Sequence, residues 1–511
     1  MPRALISVHD KHGIAELAQA LTELGWEVVS SGGTAAHLEE RGIPVTRVED
    51  VTQAPEMLGG RVKTLHPRIH AGILARRNLD EDVQTLAEHE IEPFDLVCVN
   101  LYPFAAVAAR RSATEAEVVE MIDVGGPSML RAAAKNFAHV AAVSSETQYE
   151  PILAALREHG EVPLDARREL ARDAFAATAA YESAIATWFG ETESFPDQLT
   201  LTFRKAMDLS YGENPHQAAA FYREDGTRRH LLSHVDQLGG KELSYNNLVD
   251  LEGGRRLLRE FALPAVVIVK HANPCGVAVA GTIEEAWEKA LAADPVSAFG
   301  CVALLNRPVF AELGARIAGH FVEVLMAPGY DDAATDVLRA KTALRLLWSH
   351  DRRGETPGER DYKRVLGGLL VQDRDVEVED RSAMKVMCGE LSEAQWGDLL
   401  FAWRVCKHVS SNAIVIARDL QTIGIGAGQM SRVDSVRIAI EKAREHGHDV
   451  AGSVLASDAF FPFADGPQLA LDAGVTALIQ PGGSRRDNDV IEAVMGNNAA
   501  MVFTGYRHFR H

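Results

Sequence analysis

The sequence predicts two α/β domains, the first built on a parallel sheet, and three observations carry that expectation. Strand-like and helix-like patterns alternate through the first third, the rhythm of a parallel sheet covered by helices on both faces. Apolar runs rich in β-branched residues, such as Ala265-Val266-Val267-Ile268-Val269, recur along the chain and read as buried strands. At 511 residues the chain is too long for one hydrophobic core and calls for two to four domains.

Residues 4–8 read as the first strand. Asp10 is placed to cap a helix whose apolar positions Ile14, Leu17, Leu21 and Leu24 recur at three- and four-residue spacing, with Gly25 at its end. Residues 26–30 form the second strand, Ser31-Gly32-Gly33-Thr34 follows, then a helix to about Arg41 stopped by Gly42, and residues 43–48 form the third. Residues 94–99 are a further strand, running into Asn100-Leu101-Tyr102-Pro103-Phe104. A helix after Ile122-Asp123-Val124-Gly125-Gly126-Pro127 carries Arg131 and Lys135 on one face. Residues 151–190 are helical. The short acidic stretch 190–197 is the linker candidate, so domains are expected over 1–195 and 200–511. In the second, strands are expected at 301–305 and 413–417, a helix at 396–407, a less patterned region at 331–364, and a surface loop at 352–354. No fixed-period repeat is visible. The echo between Ser297-Ala298-Phe299 and Ser457-Asp458-Ala459-Phe460 hints at two related halves.

The chemistry concentrates at strand ends, where ligands of open α/β sheets gather. In Lys270-His271-Ala272-Asn273-Pro274-Cys275-Gly276 a fixed cation adjoins an imidazole that can take a proton near neutrality, and Asn273-Pro274 and Gly276 suggest a turn. The alternative is a structural loop with a solvated lysine. Ser31-Gly32-Gly33-Thr34 lets a backbone approach an anion at a helix start, which suits a small phosphate monoester; a plain capped turn is the other reading. Residues 7–11 should converge on it. The segment 59–70 packs Arg61, Lys63, His66, Arg68 and His70 behind two glycines, either a pocket for a phosphorylated small molecule or a solvated loop. Ile423-Gly424-Ile425-Gly426-Ala427-Gly428 is a weak nucleotide-turn signal, and the phenylalanines at 460, 461 and 463 suit either core packing or a planar ring.

A net charge of −20 disfavours nucleic acid and anionic membrane partners. Five cysteines with no CxxC pair, no signal-peptide pattern and no apolar run near 18 residues point to a cytoplasmic protein with free thiols. No catalytic metal is expected, because Cys275 lacks a second cysteine at deaminase spacing; Cys275 remains a minor candidate nucleophile.

Ten ordered motifs resemble one family along nearly the whole chain, the bifunctional AICAR formyltransferase/IMP cyclohydrolases of purine biosynthesis. They are SGGT at Ser31, GGRVKTLHP at Gly59, NLYPF at Asn100, IDVGGP at Ile122, RAAAKN at Arg131, YGENPHQ at Tyr211, KHANPCG at Lys270, IGIGAGQMSR at Ile423, SDAFFPF at Ser457 and PGGS at Pro481. The resemblance implies a methylglyoxal-synthase-like parallel α/β domain followed by two zinc-free cytidine-deaminase-like halves. It implies formyl transfer from 10-formyltetrahydrofolate to AICAR, then closure of FAICAR to IMP, in a homodimer with shared formyltransferase sites. By the same resemblance His271 is the base, Lys270 stabilises the transition state, Lys135 moves a proton in ring closure, and Lys63, Tyr102 and Asp123 complete that site. Nucleotide contacts carried over to the first domain are Ser7, His9, Asp10, Lys11, Ser31, Gly32, Gly33, Thr34, Arg61, Val62, Thr64, Asn100, Val124 and Gly125. AICAR contacts carried over to the second are Tyr211, Gly300, Glu323, Asn412, Arg432, Phe460 and Arg507, with Val433, Asp465, Ser484 and Arg485 toward folate. Three positions depart from the pattern: His9 stands for a serine, Ser210 for a phosphate-binding arginine, and Ala464 for an arginine. Arg204 or Lys205 is expected to compensate at Ser210. A single-activity enzyme and a nucleotide sensor without turnover are the alternatives.

Overall fold

The structure, a computed structural model, describes residues 1–55, 57–110, 112–190, 194–224, 235–350 and 360–511. Chain contacts divide it into two units, the first over Met1–Arg204 with Arg223 and Glu224, the second over Lys205–Tyr222 and the described residues from Val235 to His511. Residues 191–193 of the expected linker and the expected loop at 352–354 lie outside the described residues.

In the first unit β1 (Arg3–Val8) is central because Ala4, Leu5 and Ile6 are fully buried, covered on both faces. It lies between β2 (Glu27–Ser30) and β4 (Leu96–Asn100), with β3 (Thr46–Arg47) and β5 (Ala141–Val143) at the edges. The order is β3-β2-β1-β4-β5 and every pairing is parallel. Strand order reverses at β1, so the crevice at its carboxyl end, between the ends of β2 and β4, is where a ligand fits. The helix Ile14–Glu23 buries Ile14, Leu17, Ala18 and Leu21. It starts behind Gly13, in left-handed geometry, and not at Asp10, whose carboxylate accepts the His12 N–H at 3.0 Å. Only Thr46–Arg47 of the expected third strand pairs, and residues 151–190 form two helices, within Tyr149–His159 and Leu164–Phe189.

Next along the chain comes a two-stranded sheet of β6 (Phe203–Leu209) and β7 (Ala219–Glu224). The body of the second unit is one twelve-stranded sheet. One run of six comprises β8 (Val235–Gly239), β9 (Ala265–Lys270), β10 (Asn273–Val279), β11 (Cys301–Leu305), β12 (Val322–Ala327) and β13 (Arg345–Ser349). A separate hairpin of β14 (Arg360–Val365) and β15 (Gly368–Asp373) follows. The other six are β16 (Lys385–Cys388), β17 (Ile414–Arg418), β18 (Gln421–Gly426), β19 (Val454–Ser457), β20 (Ala477–Gln480) and β21 (Ala500–Phe503).

Read outward from the centre, the orders are β10-β9-β11-β12-β13-β8 and β18-β17-β19-β20-β21-β16. The two agree in every parallel or antiparallel pairing and meet at β10 and β18, with Ala278 opposite Gln421. The unit is thus an internal repeat. Ser244 and Ser392, Asp250 and Asp398, and Gly276 and Gly424 stand at equivalent places, each pair 148 residues apart. The Ser-Ala-Phe echo is out of register with this repeat. Residues 297–299 precede β11, whereas residues 457–460 begin at the last residue of β19, the counterpart of β11.

Two expectations about glycine are corrected. The 423–428 segment is mostly β18 and not a nucleotide turn. A Cβ on Gly424 would lie 2.9 Å from the carbonyl carbon of Ala439, so the glycines let the helix Arg432–Glu445 rest on the strand. Gly276 likewise sits inside β10 against the helix Ile283–Ala293, and the turn falls earlier, at His271 and Ala272. The region 331–364 is also more ordered than its polarity implies. It holds the helix Asp332–Arg339 and β13, whose Leu346 and Leu347 are fully buried.

Candidate active sites

At the carboxyl ends of β1, β2 and β4, residues 7–11 and 31–34 meet. The Thr34 hydroxyl donates to the Val8 carbonyl at 2.9 Å and faces the Lys11 ammonium at 3.1 Å. Burial lowers the Lys11 pKa. The Lys11 ammonium also donates to the Val8 carbonyl. The helix Gly32–Glu39 starts beside it with Gly32 at φ 51°, where a side chain would collide with the Lys63 ammonium. Two lysines, a hydroxyl and the N–H groups of a helix start therefore surround one point, an arrangement suited to a phosphate.

A second group closes the same crevice. Asn100 fixes the 9–10 loop, its Oδ1 accepting the N–H groups of His9 and Asp10 at 2.5 and 3.0 Å. The His9 and Tyr102 rings lie 5.1 Å apart. Asp123 accepts the Gly126 N–H at 2.9 Å, and its own N–H goes to the Tyr181 hydroxyl. Burial holds the Asp123 carboxyl above the ordinary carboxylate range and raises the Tyr102 phenol, which Asp123 raises further. Thr64 packs against Gly125 at the start of the helix Gly125–Lys135. Exposed Val124 precedes that helix, Val62 is half-buried, and Arg61 pairs with Glu120. Lys135 is exposed at the other end of the same helix, about 15 Å away at 1.5 Å per residue. Within the chain it is not brought to the Asp123 group.

In the second unit, Lys270 ends β9 and donates to the carbonyls of Phe299 and Gly300 at 3.0 and 2.6 Å. His271 is exposed at the tip of a two-residue turn in which His271 and Ala272 have φ of 52° and 62°. Glu323, on β12, accepts from Asn247 at 3.3 Å. A cavity of about 290 Å³ opens beside the turn, lined by Lys270, His271, Asn273, Ser297, Gln429 and Lys442 among others. Cys275 borders it, but burial pushes that thiol well above its ordinary value, which disfavours the thiolate a nucleophile needs.

The Asn273 side chain accepts the Ser410 N–H at 2.8 Å and so joins this turn to a polar group from the other half. There the Arg432 guanidinium is buried and bonded through both terminal nitrogens. It donates to Ser457 and Asn412 at 2.8 Å each and pairs with Asp458, which is wholly buried and also receives the Ser411 hydroxyl at 2.5 Å. Val433 follows on the same helix. Phe461 is core at 1% exposure, whereas Phe460 stands 39% exposed. Asp465 opens the helix Asp465–Asp472 behind Ala464; Ser484 and Arg485 lie on the loop after β20, and Arg507 stacks on Phe509 at 4.3 Å. The Tyr211 carbonyl accepts the Tyr245 N–H, Ser210 contacts the Leu243 carbonyl, and Lys205 pairs with Asp208. Sequence reasoning passed over Asn247, Asp250, Asn273, Ser411 and Asp458. Asn273, Ser411 and Asp458 stand in or beside quoted stretches, but Asn247 and Asp250 lie on the helix Tyr245–Arg259, far from any quoted motif. Among the described residues, no group of three or more His, Cys, Asp or Glu could hold a metal, and no helix is long and apolar enough to cross a membrane.

A parallel α/β unit with an anion cradle, followed by a duplicated unit with a Lys–His turn, is the form of an α/β enzyme with a candidate site in each unit. Family models match at residues 13–128, described as an MGS-like domain, and at 133–442, described as the AICARFT/IMPCHase bienzyme. The chain belongs to the AICAR formyltransferase/IMP cyclohydrolase bienzyme family. A relative titled "Bifunctional purine biosynthesis protein PurH" from Synechocystis sp. is 50% identical over 513 residues, covering 99% of each chain. One with the same title from Halalkalibacterium halodurans is 49% identical over 100% of this chain and 99% of its own. A third, from Anoxybacillus flavithermus, is 48% identical over the same shares.

Proposed function

We propose that formyl transfer occurs at the Lys270–His271 turn of the second unit and ring closure in the Asp123 crevice of the first. The bienzyme transfers formyl from 10-formyltetrahydrofolate to the 5-amino group of AICAR, then closes FAICAR to IMP with loss of water. The observation that carries the assignment is the Lys270 ammonium, fixed by two carbonyl oxygens beside an exposed imidazole. An ammonium has three donors. Phe299 and Gly300 use two, which leaves one for the formyl oxygen or the departing folate nitrogen. As the amine nitrogen bonds the formyl carbon, the bond from that carbon to folate nitrogen breaks. His271 takes the amine proton, which ends on the folate nitrogen.

In the first unit, Lys11, Lys63 and the Gly32 helix start hold the nucleotide phosphate, with Asp123 and Tyr102 toward the closing ring. The carboxamide nitrogen bonds the formyl carbon and its oxygen leaves as water. Both reacting groups belong to one held molecule, so positioning supplies much of the acceleration. We assign residues 1–195 to ring closure and 200–511 to formyl transfer, and read the repeated halves of the latter as cytidine-deaminase-like. A homodimer completing the formyltransferase sites fits Phe299 and Phe321, whose tilted rings lie 5.0 Å apart yet stand exposed beside Lys270. A cytoplasmic location fits five free cysteines.

Separate assays of the two reactions test the assignment. Lys270→Ala should lower formyl transfer about 10²–10³-fold and spare ring closure; Lys63→Ala should do the reverse. Loss of both activities in each variant would overturn the two-site reading. Sedimentation of the purified protein tests the dimer, and a monomer with full formyl transfer would refute it.

A further inference from the structure

The turn that carries Lys270 and His271 is made from residues that do not favour it. His271 and Ala272 both occupy the left-handed region, where a Cβ crowds the following carbonyl. The turn is braced from outside: the Ala272 N–H donates to Asp250 Oδ1 at 2.6 Å, from the helix Tyr245–Arg259. Asp250 stands six residues after the capping Ser244 and 22 before Ala272.

The other half repeats this device. Asp398 stands six residues after the capping Ser392 and 22 before Leu420, on the helix Glu393–Cys406. It accepts the N–H groups of Asp419 and Leu420 at 3.0 and 2.8 Å, and these two residues have φ of 53° and 55°. The brace is therefore present in both halves, but the chemistry is not. Arg418 and Asp419 stand where Lys270 and His271 stand, and the second turn offers no imidazole.

We propose that Asp250 is a positioning residue for formyl transfer: its carboxylate holds the left-handed turn that aims the His271 imidazole and the Lys270 ammonium at one reacting centre. Asp398 is the same brace on a turn without a base. The proposal rests on formyl transfer occurring at Lys270 and His271. Without the bond from Ala272, the turn relaxes and the imidazole shifts by a distance that matters for proton transfer but little for binding, so kcat falls and KM holds.

The test measures kcat and KM for both reactions on the full chain. Asp250→Ala should lower formyl-transfer kcat about tenfold to a hundredfold, with KM for AICAR within about twofold. Asp250→Asn keeps a carbonyl oxygen for the Ala272 N–H and should restore most of the rate. Asp398→Ala removes the matching bonds and should leave formyl transfer near wild type; ring closure should stay unchanged throughout. Wild-type kcat in Asp250→Ala would overturn the proposal, as would an equal loss in Asp398→Ala, which would mark both bonds as fold stability alone. If Asp250→Ala does not fold, Asp250→Glu carries the test, because it keeps the charge and moves the acceptor by one methylene. A tenfold or greater fall in its kcat supports the proposal and an unchanged kcat overturns it. His271→Ala is the separate control: if it retains formyl transfer, the site assignment itself fails.

Discussion

Gly276→Ala tests how closely the Lys270 turn is tied to the packing beneath it. A Cβ on Gly276 would lie 3.0 Å from the carbonyl carbon of Ala290, with the carbonyl oxygen closer still. Both are main-chain atoms of the helix Ile283–Ala293, so no side chain can swing aside. Either β10 or the helix must retreat, opening a core that includes Trp287 and Ala290, both buried to within 1%. Overpacking of this kind costs about 1–3 kcal/mol, and a main-chain collision belongs at the upper end. The second unit has roughly 300 residues, and unfolding releases about 2.1 cal/mol/K for each, or about 0.6 kcal/mol/K. A loss of about 3 kcal/mol should then lower its melting temperature by about 5 °C. Calorimetry would show that shift in the second unit alone. Formyl transfer should weaken too, since β10 begins at Asn273 beside His271, while ring closure persists. A variant melting within about 1 °C of wild type with full formyl transfer would refute the packing argument.

Asp123→Asn should lower ring closure yet stabilise the first unit at pH 8. Burial raises the folded carboxyl, so its ionisation costs stability as pH rises through that folded value; the neutral amide is spared, and its advantage in melts should shrink as pH falls toward the ordinary value of about 4. Cys275→Ser should retain formyl transfer, and alkylation of wild type at pH 7.5 should leave Cys275 unmodified in peptide maps, because its thiol is held protonated. Arg432→Ala strands the fully buried Asp458 carboxylate and should cost about 3–5 kcal/mol in denaturant unfolding, whatever Arg432 contributes to nucleotide binding.

Much of the first unit was legible because strand and helix periodicities differ and its glycines end helices. The cap of the helix Ile14–Glu23 was not, since Asp10 resembles a cap and only the left-handed Gly13 shows where the helix begins. In the second unit, Ala265–Lys270 was read correctly from its unbroken β-branched run. The turn after it was displaced onto Asn273-Pro274 and Gly276, because local statistics place turns at such residues, whereas a carboxylate 22 residues upstream holds His271 and Ala272 there. The glycines at 424 and 426 carried the same trap, as close approach of a helix and a phosphate turn ask for the same residue. Where Lys135 stands was not legible from its motif: a helix of eleven residues sets its two ends far apart however near they stand in sequence. Two related halves were expected, but the register of the repeat was hidden because its shared features are a cap, a brace and a packing glycine, scattered among residues that differ.

The seam at β10 and β18 has a consequence for how such a chain could arise. Severed there, each six-stranded half would bare an apolar strand with unpaired backbone groups, an edge that invites another copy of itself. Antiparallel pairing across such an edge is what a two-fold axis between identical molecules requires. The second unit thus has the form of a symmetric pair joined into one polypeptide, with an imidazole on one of its two matching turns and a carboxylate on the other.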